Sequence, residues 1–157
     1  MKPNIGLGDG QRKSVIDILN HLLADEVVLY VKTRNYHWNV EGPDFSATHK
    51  FFETQYEQLD DLMDDVAERA RAIGGRAAGS LGEYLKLTAL EEDNGKTSGE
   101  KNMISDLLKS HETIIVRLRT EIPVVGDKHG DIGSNDFLTG VLEAHEKMAW
   151  MLRSYLG

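Results

Sequence analysis

The sequence predicts an all-α four-helix bundle, and three observations carry that prediction. Four long segments repeat apolar residues every three to four positions. Gly and Pro cluster between those segments: Pro3 to Gly10, Gly42-Pro43, Gly74 to Gly82, Asn94-Gly95 and Pro123 to Gly133. No stretch alternates apolar and polar residues over a β-branched run, so a sheet is not expected.

The first segment, about Gln11 to Asn39, lines up Val15, Leu19, Leu22, Glu26, Leu29, Thr33 and His37 on one stripe. The second, about Phe45 to Ile73, carries Phe45, His49, Phe52, Tyr56, Leu59, Met63, Val66 and Ala70, and Gly74-Gly75 is its stop signal. The third, Ser98 to about Ile122, stripes Ile104, Leu107, His111, Ile114 and Leu118. The fourth, Ser134 to Leu156, stripes Leu138, Val141, His145, Met148 and Leu152. Ser98 and Ser134 are the expected N-caps. Five residues join the first two helices, which makes them antiparallel neighbours. The long Gly74–Thr97 connection can cross the bundle and carries a short extra helix at Ser80–Leu87. Residues 1–10 read as a short N-terminal tail and 11–157 as one bundle domain.

Composition narrows the chemistry. The chain has no cysteine, which excludes disulfide scaffolds, thiolate zinc sites, iron–sulfur clusters and cysteine nucleophiles. Any metal must be held by imidazole and carboxylate. Acidic residues outnumber basic ones by 26 to 18, a formal charge of −8 that does not favour a free polyanion as partner. No apolar run approaches a membrane span and the N-terminus has no apolar leader, so a soluble cytoplasmic protein is expected.

Two histidines flank the first hairpin, His37 and His49. The second helix adds an acidic row of Glu53, Glu57, Asp60, Asp61, Asp64 and Glu68. Such a row also reads as a solvated face, and lone histidines read as satisfied core residues. Imidazoles beside carboxylates, without thiolates, suit Fe, Mn or Zn. Asp64 and Glu68 are four apart and can reach one ion together. His49 and Asp64 are fifteen residues apart, ~22 Å along a straight helix, so one ion cannot reach both within one chain. The residues therefore form two half-sites: His37, His49 and Glu53 at one end, Asp64 and Glu68 at the other. They meet only if a second subunit packs antiparallel across a two-fold axis. The Glu-x-x-His pairs of an intrachain di-iron bundle do not occur.

The run Asn35-Tyr36-His37-Trp38-Asn39-Val40-x-Gly42-x-x-Phe45-x-x-x-His49, followed by Asp64-x-x-Ala67-Glu68-Arg69, resembles the signature of the Dps miniferritins, the DNA-binding proteins from starved cells. The resemblance implies a ferritin-like four-helix bundle assembled from two-fold dimers into a hollow homododecamer. It implies a ferroxidase that oxidises Fe(II), preferably with hydrogen peroxide, at sites shared between subunits, and stores ferric mineral inside, protecting the cell against oxidative damage. His37, His49, Asp64 and Glu68 stand at the family's ligand positions. Glu53 replaces the usual aspartate four residues after the second histidine. Trp38 stands where the family keeps a tryptophan beside the iron, a position that equally suits packing at the dimer interface. Zinc is a competing occupant. Asp127, Asp131 and Asp136 form a second acidic cluster, a candidate iron-entry pore, although Asp136 would favour a helix N-terminus in any protein.

DNA affinity needs cations against phosphate. The tail offers only Lys2, Arg12 and Lys13, and the chain ends at Gly157 without a basic extension, so DNA binding is expected to be weak or absent. The alternatives are a DNA-protecting nucleoid protein with secondary iron binding, and a metal-free bundle that mediates protein contacts. His111 and His145 are expected to be hydrogen-bonded members of the core.

Overall fold

A computed structural model describes residues 3–157; Lys2, counted above among the tail's cations, lies outside them. Five α-helices follow in order: α1 (Asp9–Asn39), α2 (Phe45–Ala72), α3 (Leu81–Leu87), α4 (Glu100–Pro123) and α5 (Ile132–Leu156). A single π-helical turn, Val124–Lys128, leads out of α4 where Pro123 closes the helix. The described residues contain no strand. α1 and α2 form one antiparallel hairpin, α4 and α5 the other, and α3 lies in the long crossover against α1.

The stripes meet as the sequence predicts. Val15, Leu19, Leu22 and Leu29 from α1 pack against Phe52, Leu59 and Val66 from α2, Ile104, Leu107, Ile114 and Leu118 from α4, and Leu138, Met148 and Leu152 from α5. All are buried, so the driving force is removal of one apolar stripe per helix from water.

Helix ends show where local chemistry decides. α2 stops in a Schellman turn: Gly74 takes φ +89°, its N–H reaches the Arg71 carbonyl at 2.9 Å, and the Gly75 N–H reaches Ala70 at 2.8 Å. Gly75 must also be small, because a Cβ there would lie 2.6 Å from the Ile16 side chain. Two expected caps are corrected. α4 begins after Gly99, not at Ser98, because Gly99 at φ +83° turns the chain one residue later and no side chain caps the end. α5 begins after Asp131: its carboxylate accepts the Ser134 N–H at 2.9 Å, which places Ser134 inside the first turn. Ser80 caps α3 and is hydrogen-bonded to Glu83, whose carboxyl is lowered to about 2, foremost by its hydrogen bond from Arg76.

The crossover is fixed by one buried acid. Asp25, fully buried on α1, accepts the Thr88 hydroxyl and the Ala89 N–H, each at 2.7 Å, and pairs with Arg117 of α4 at 2.8 Å. Two and three turns further on, Lys32 bonds Asp106 at 3.0 Å and Ser110 at 3.1 Å, and the Tyr36 hydroxyl donates to Asp106 at 2.8 Å. The Asp25 contacts tie the crossover to α1, and those of Lys32 and Tyr36 tie α4 to it. Asp25→Ala would strand Arg117 and two donors of the crossover, and the expected cost is about 3 kcal/mol, read as a lower denaturation midpoint in urea at pH 7.5.

Candidate metal centre

The 40–44 loop is so short that the last turn of α1 lies against the first turns of α2. His37 and His49 are stacked there, ring centroids 3.7 Å apart and planes 23° from parallel. Each imidazole reaches back to the other's main chain: His37 Nδ1 contacts the His49 carbonyl and His49 Nδ1 contacts the His37 carbonyl, both at 2.8 Å. A carbonyl only accepts, so each Nδ1 carries a proton, and Nε2 is the ring nitrogen that the neutral form leaves for a metal. Carbonyl support of this kind orients metal-binding histidines. Stacking holds the two ring planes nearly parallel and side by side at the mouth of the hairpin.

Glu53 lies one turn beyond His49, half-buried, and its carboxylate accepts the Lys50 ammonium at 2.9 Å. That hydrogen bond is the main reason its carboxyl is held below the usual range, and charge on His37 and His49 lowers it further. Lys50 thus holds a place that a bound cation could take.

An aromatic stack flanks the imidazoles. Phe45 lies 5.0 Å from His49, Tyr56 meets His37 edge-on at 5.2 Å, and Tyr30 meets Tyr56 edge-on at 6.1 Å. The Arg34 guanidinium lies over Tyr56 at 4.4 Å, Trp38 at 5.1 Å and Tyr30 at 5.7 Å, and donates to the Tyr30 hydroxyl at 3.1 Å. Trp38 itself is 63% exposed. The i, i+4 spacing of Tyr30, Arg34 and Trp38 was open to inspection in the sequence. The meeting of that row with Tyr56 depends on the hairpin register.

α2 is continuous from Phe45 to Ala72, so the fifteen-residue separation of His49 from Asp64 is preserved. Asp64 and Glu68 are exposed and, among the described residues, make no hydrogen bond or ion pair. One chain therefore brings His37 and His49 together, with Glu53 one turn further along α2 and paired with Lys50, and leaves Asp64 and Glu68 at the far half of the same helix. No group of three or more His, Asp or Glu able to hold a metal occurs among the described residues of the single chain.

The three acids near α5 diverge. Asp127 and Asp136 are exposed. Asp131 is 4% exposed; it caps α5, accepts the Ser134 hydroxyl at 2.6 Å and pairs with Arg69 at 3.3 Å. Asp127 and Asp136 face water there together with Lys128.

A family profile described as a ferritin-like domain matches residues 16–157, in agreement with the helical bundle. The chain is 45% identical over 153 residues to a low temperature-induced protein of Nostoc sp., covering 98% of this chain and 86% of that one. It is 36% identical over 145 residues to DNA protection during starvation protein 2 of Bacillus anthracis, covering 92% and 97%. The crystal structure of the Dps protein from Vibrio cholerae O1, a member of a broad superfamily of ferritin-like diiron-carboxylate proteins, superposes with a TM-score of 0.92 at 30% identity over 100% and 98% of the two chains. The chain belongs to the Dps miniferritin family. No helix among its described residues is long and apolar enough to cross a membrane.

Arg34→Met should keep the fold, cost about 1 kcal/mol of stability through the lost cation–π contacts, and shift Trp38 emission in a Trp150→Phe background. Thermal unfolding and fluorescence check both.

Proposed function

We propose that this protein stores iron by oxidising Fe(II) at sites shared between two-fold-related subunits. The observation that carries the reading is the stacked imidazole pair, each Nδ1 held by the other's carbonyl, on the same unbroken helix as the exposed and unpaired Asp64 and Glu68 but far from them. Asp64 and Glu68 of a second copy, running antiparallel, supply the missing oxygens. An apolar groove between α1 and α3 supports that packing: Val31, Leu81 and Leu85 border it and are 49%, 72% and 52% exposed in the single chain. Repetition of the dimer gives the hollow homododecamer, in keeping with the family.

In this reading Fe(II) is substrate. His37 and His49 each hold one ion, Glu53 exchanges its Lys50 partner for iron directly or through water, and the partner's carboxylates complete the set. Two ions supply two electrons together. Hydrogen peroxide, the proposed oxidant, then takes both electrons and two protons, its O–O bond breaks, and two waters leave without hydroxyl radical. The ferric product collects in the cavity. Asp127 and Asp136 attract incoming Fe(II) at the three-fold pore, and Asp131 sets the helix start beside them. Zinc, which suits the same donors, competes for the imidazoles and stops turnover.

The names of relatives such as the Bacillus anthracis protein favour DNA protection as a second role. The charge of −8 and the few tail cations favour protection by removing iron and peroxide rather than by coating DNA. The compartment proposed is the cytoplasm.

Particle mass tests assembly: twelve chains of 17.6 kDa give roughly 210 kDa, and a stable monomer would sink the shared site. Fe(II) oxidation with peroxide, followed as ferric absorbance, should fall at least tenfold in His37→Ala and in Asp64→Ala. Co-assembly of the two variants should restore about a quarter of wild-type activity, because half the dimers are mixed and each mixed dimer keeps one intact site. No recovery would place all ligands in one chain. In a gel shift at 50 mM salt, plasmid DNA should stay unretarded; tight condensation would favour the nucleoid role.

A further inference from the structure

The bundle core contains a second polar constellation that takes no part in the candidate iron site. Glu26 of α1, His145 of α5 and His111 of α4 are all fully buried. His145 Nε2 contacts Glu26 Oε1 at 2.6 Å, and His145 Nδ1 contacts His111 Nδ1 at 2.9 Å. At the two ends of this chain, Glu26 Oε2 and His111 Nε2 have no protein partner.

The geometry limits how many protons the network holds. The Glu26 carboxylate accepts, so His145 Nε2 carries a proton. The Nδ1···Nδ1 contact holds one proton: one imidazole donates and the other accepts. At most one of the two rings is then an imidazolium. A second imidazolium points two N–H groups at each other across 2.9 Å, and the contact breaks.

Nothing nearby compensates a second charge. On α1, Asp25 is engaged with Arg117 and Lys32 with Asp106 and Ser110. The buried side chains of α2 include none that ionises, and His145 is the only such residue among those of α5. On α4 the charged neighbours are Asp106 and Arg117, both already paired, and α3 buries no residue. Gln55 of α2 is a further buried polar side chain, and its Oε1 is also without a partner.

We propose that Glu26, His145 and His111 form an acid-operated latch, in which a proton beyond the one the imidazole pair can share breaks the His111–His145 contact and loosens α4 and α5 from α1. Burial, with the charge on His145 adding to it, holds His111 well below the ordinary histidine range. The sign follows from that direction: a histidine depressed in the folded state contributes stability above its unfolded value, near pH 6.5, and that stability is lost as the pH falls below it. Unfolding in mild acid therefore takes up a proton that the folded core refuses.

The test is denaturant unfolding of the assembled wild type and of His111→Gln, which can hydrogen-bond but cannot charge, from pH 7.5 to pH 5. The wild-type unfolding constant should rise about an extra tenfold per pH unit below pH 6.5 relative to the variant, the linkage of one proton. Should His111→Gln fail to fold, the apolar triple variant Glu26→Leu, His111→Leu and His145→Leu replaces it, since buried ionic clusters tolerate apolar replacement. Loss of the extra slope in the variant that folds supports the latch. Parallel pH profiles for wild type and variant overturn it, whether or not the protein oxidises iron.

Discussion

A straight α-helix cannot bring its two ends together, and that rigidity governs what this molecule can do. α2 runs for 28 residues without a break, with the imidazole-facing carboxylate near its start and the Asp64–Glu68 pair in its second half. Had the helix been kinked or interrupted between residues 49 and 64, one chain could have folded the two groups onto a common ion. Its continuity keeps the two groups apart within a subunit. Under the proposed function, assembly and activity are then one property, since no chain completes the ligand set alone.

The opposite end of the same hairpin shows what a short connection does. Five residues between α1 and α2 leave little freedom in how His37 meets His49. The two rings then satisfy each other's main-chain carbonyls, so the protons are confined to the Nδ1 atoms before any metal arrives. The aromatic stack from Phe45 through Tyr56 and the Arg34 guanidinium restrict the rings further. Preorganisation of this kind favours binding, because the ordering cost is met during folding.

Much of this was legible in the sequence, and the reason is that it depends on local periodicity. Stripe residues such as Leu19, Leu59, Ile114 and Leu152 announce the four helices, and Gly74-Gly75 announces where α2 ends. The pairing of His37 with His49 followed from the short loop, and the division into half-sites followed from the rise per residue. What was not legible depends on partners distant in the chain. Ser134 looks like a cap in isolation, yet Asp131 has the better position because Arg69, sixty-two residues away, helps to hold it there. The tautomers of the two histidines and the meeting of Arg34 with Tyr56 likewise appear only once the helices are in register.

Acidic residues illustrate how far burial can alter the meaning of a composition. The excess of eight negative charges looks uniform in the sequence. In the fold the acids do three kinds of work. Asp25 and Asp131 are buried and hold loops and helix starts through donors around them. Glu26 is buried against a histidine and makes the core sensitive to protons. Asp64, Glu68, Asp127 and Asp136 remain exposed, where their charge still attracts cations through water. These exposed acids can meet a cation without first losing a structural partner, whereas Asp25, Glu26 and Asp131 cannot, so a count of acids overstates how many are free to attract one.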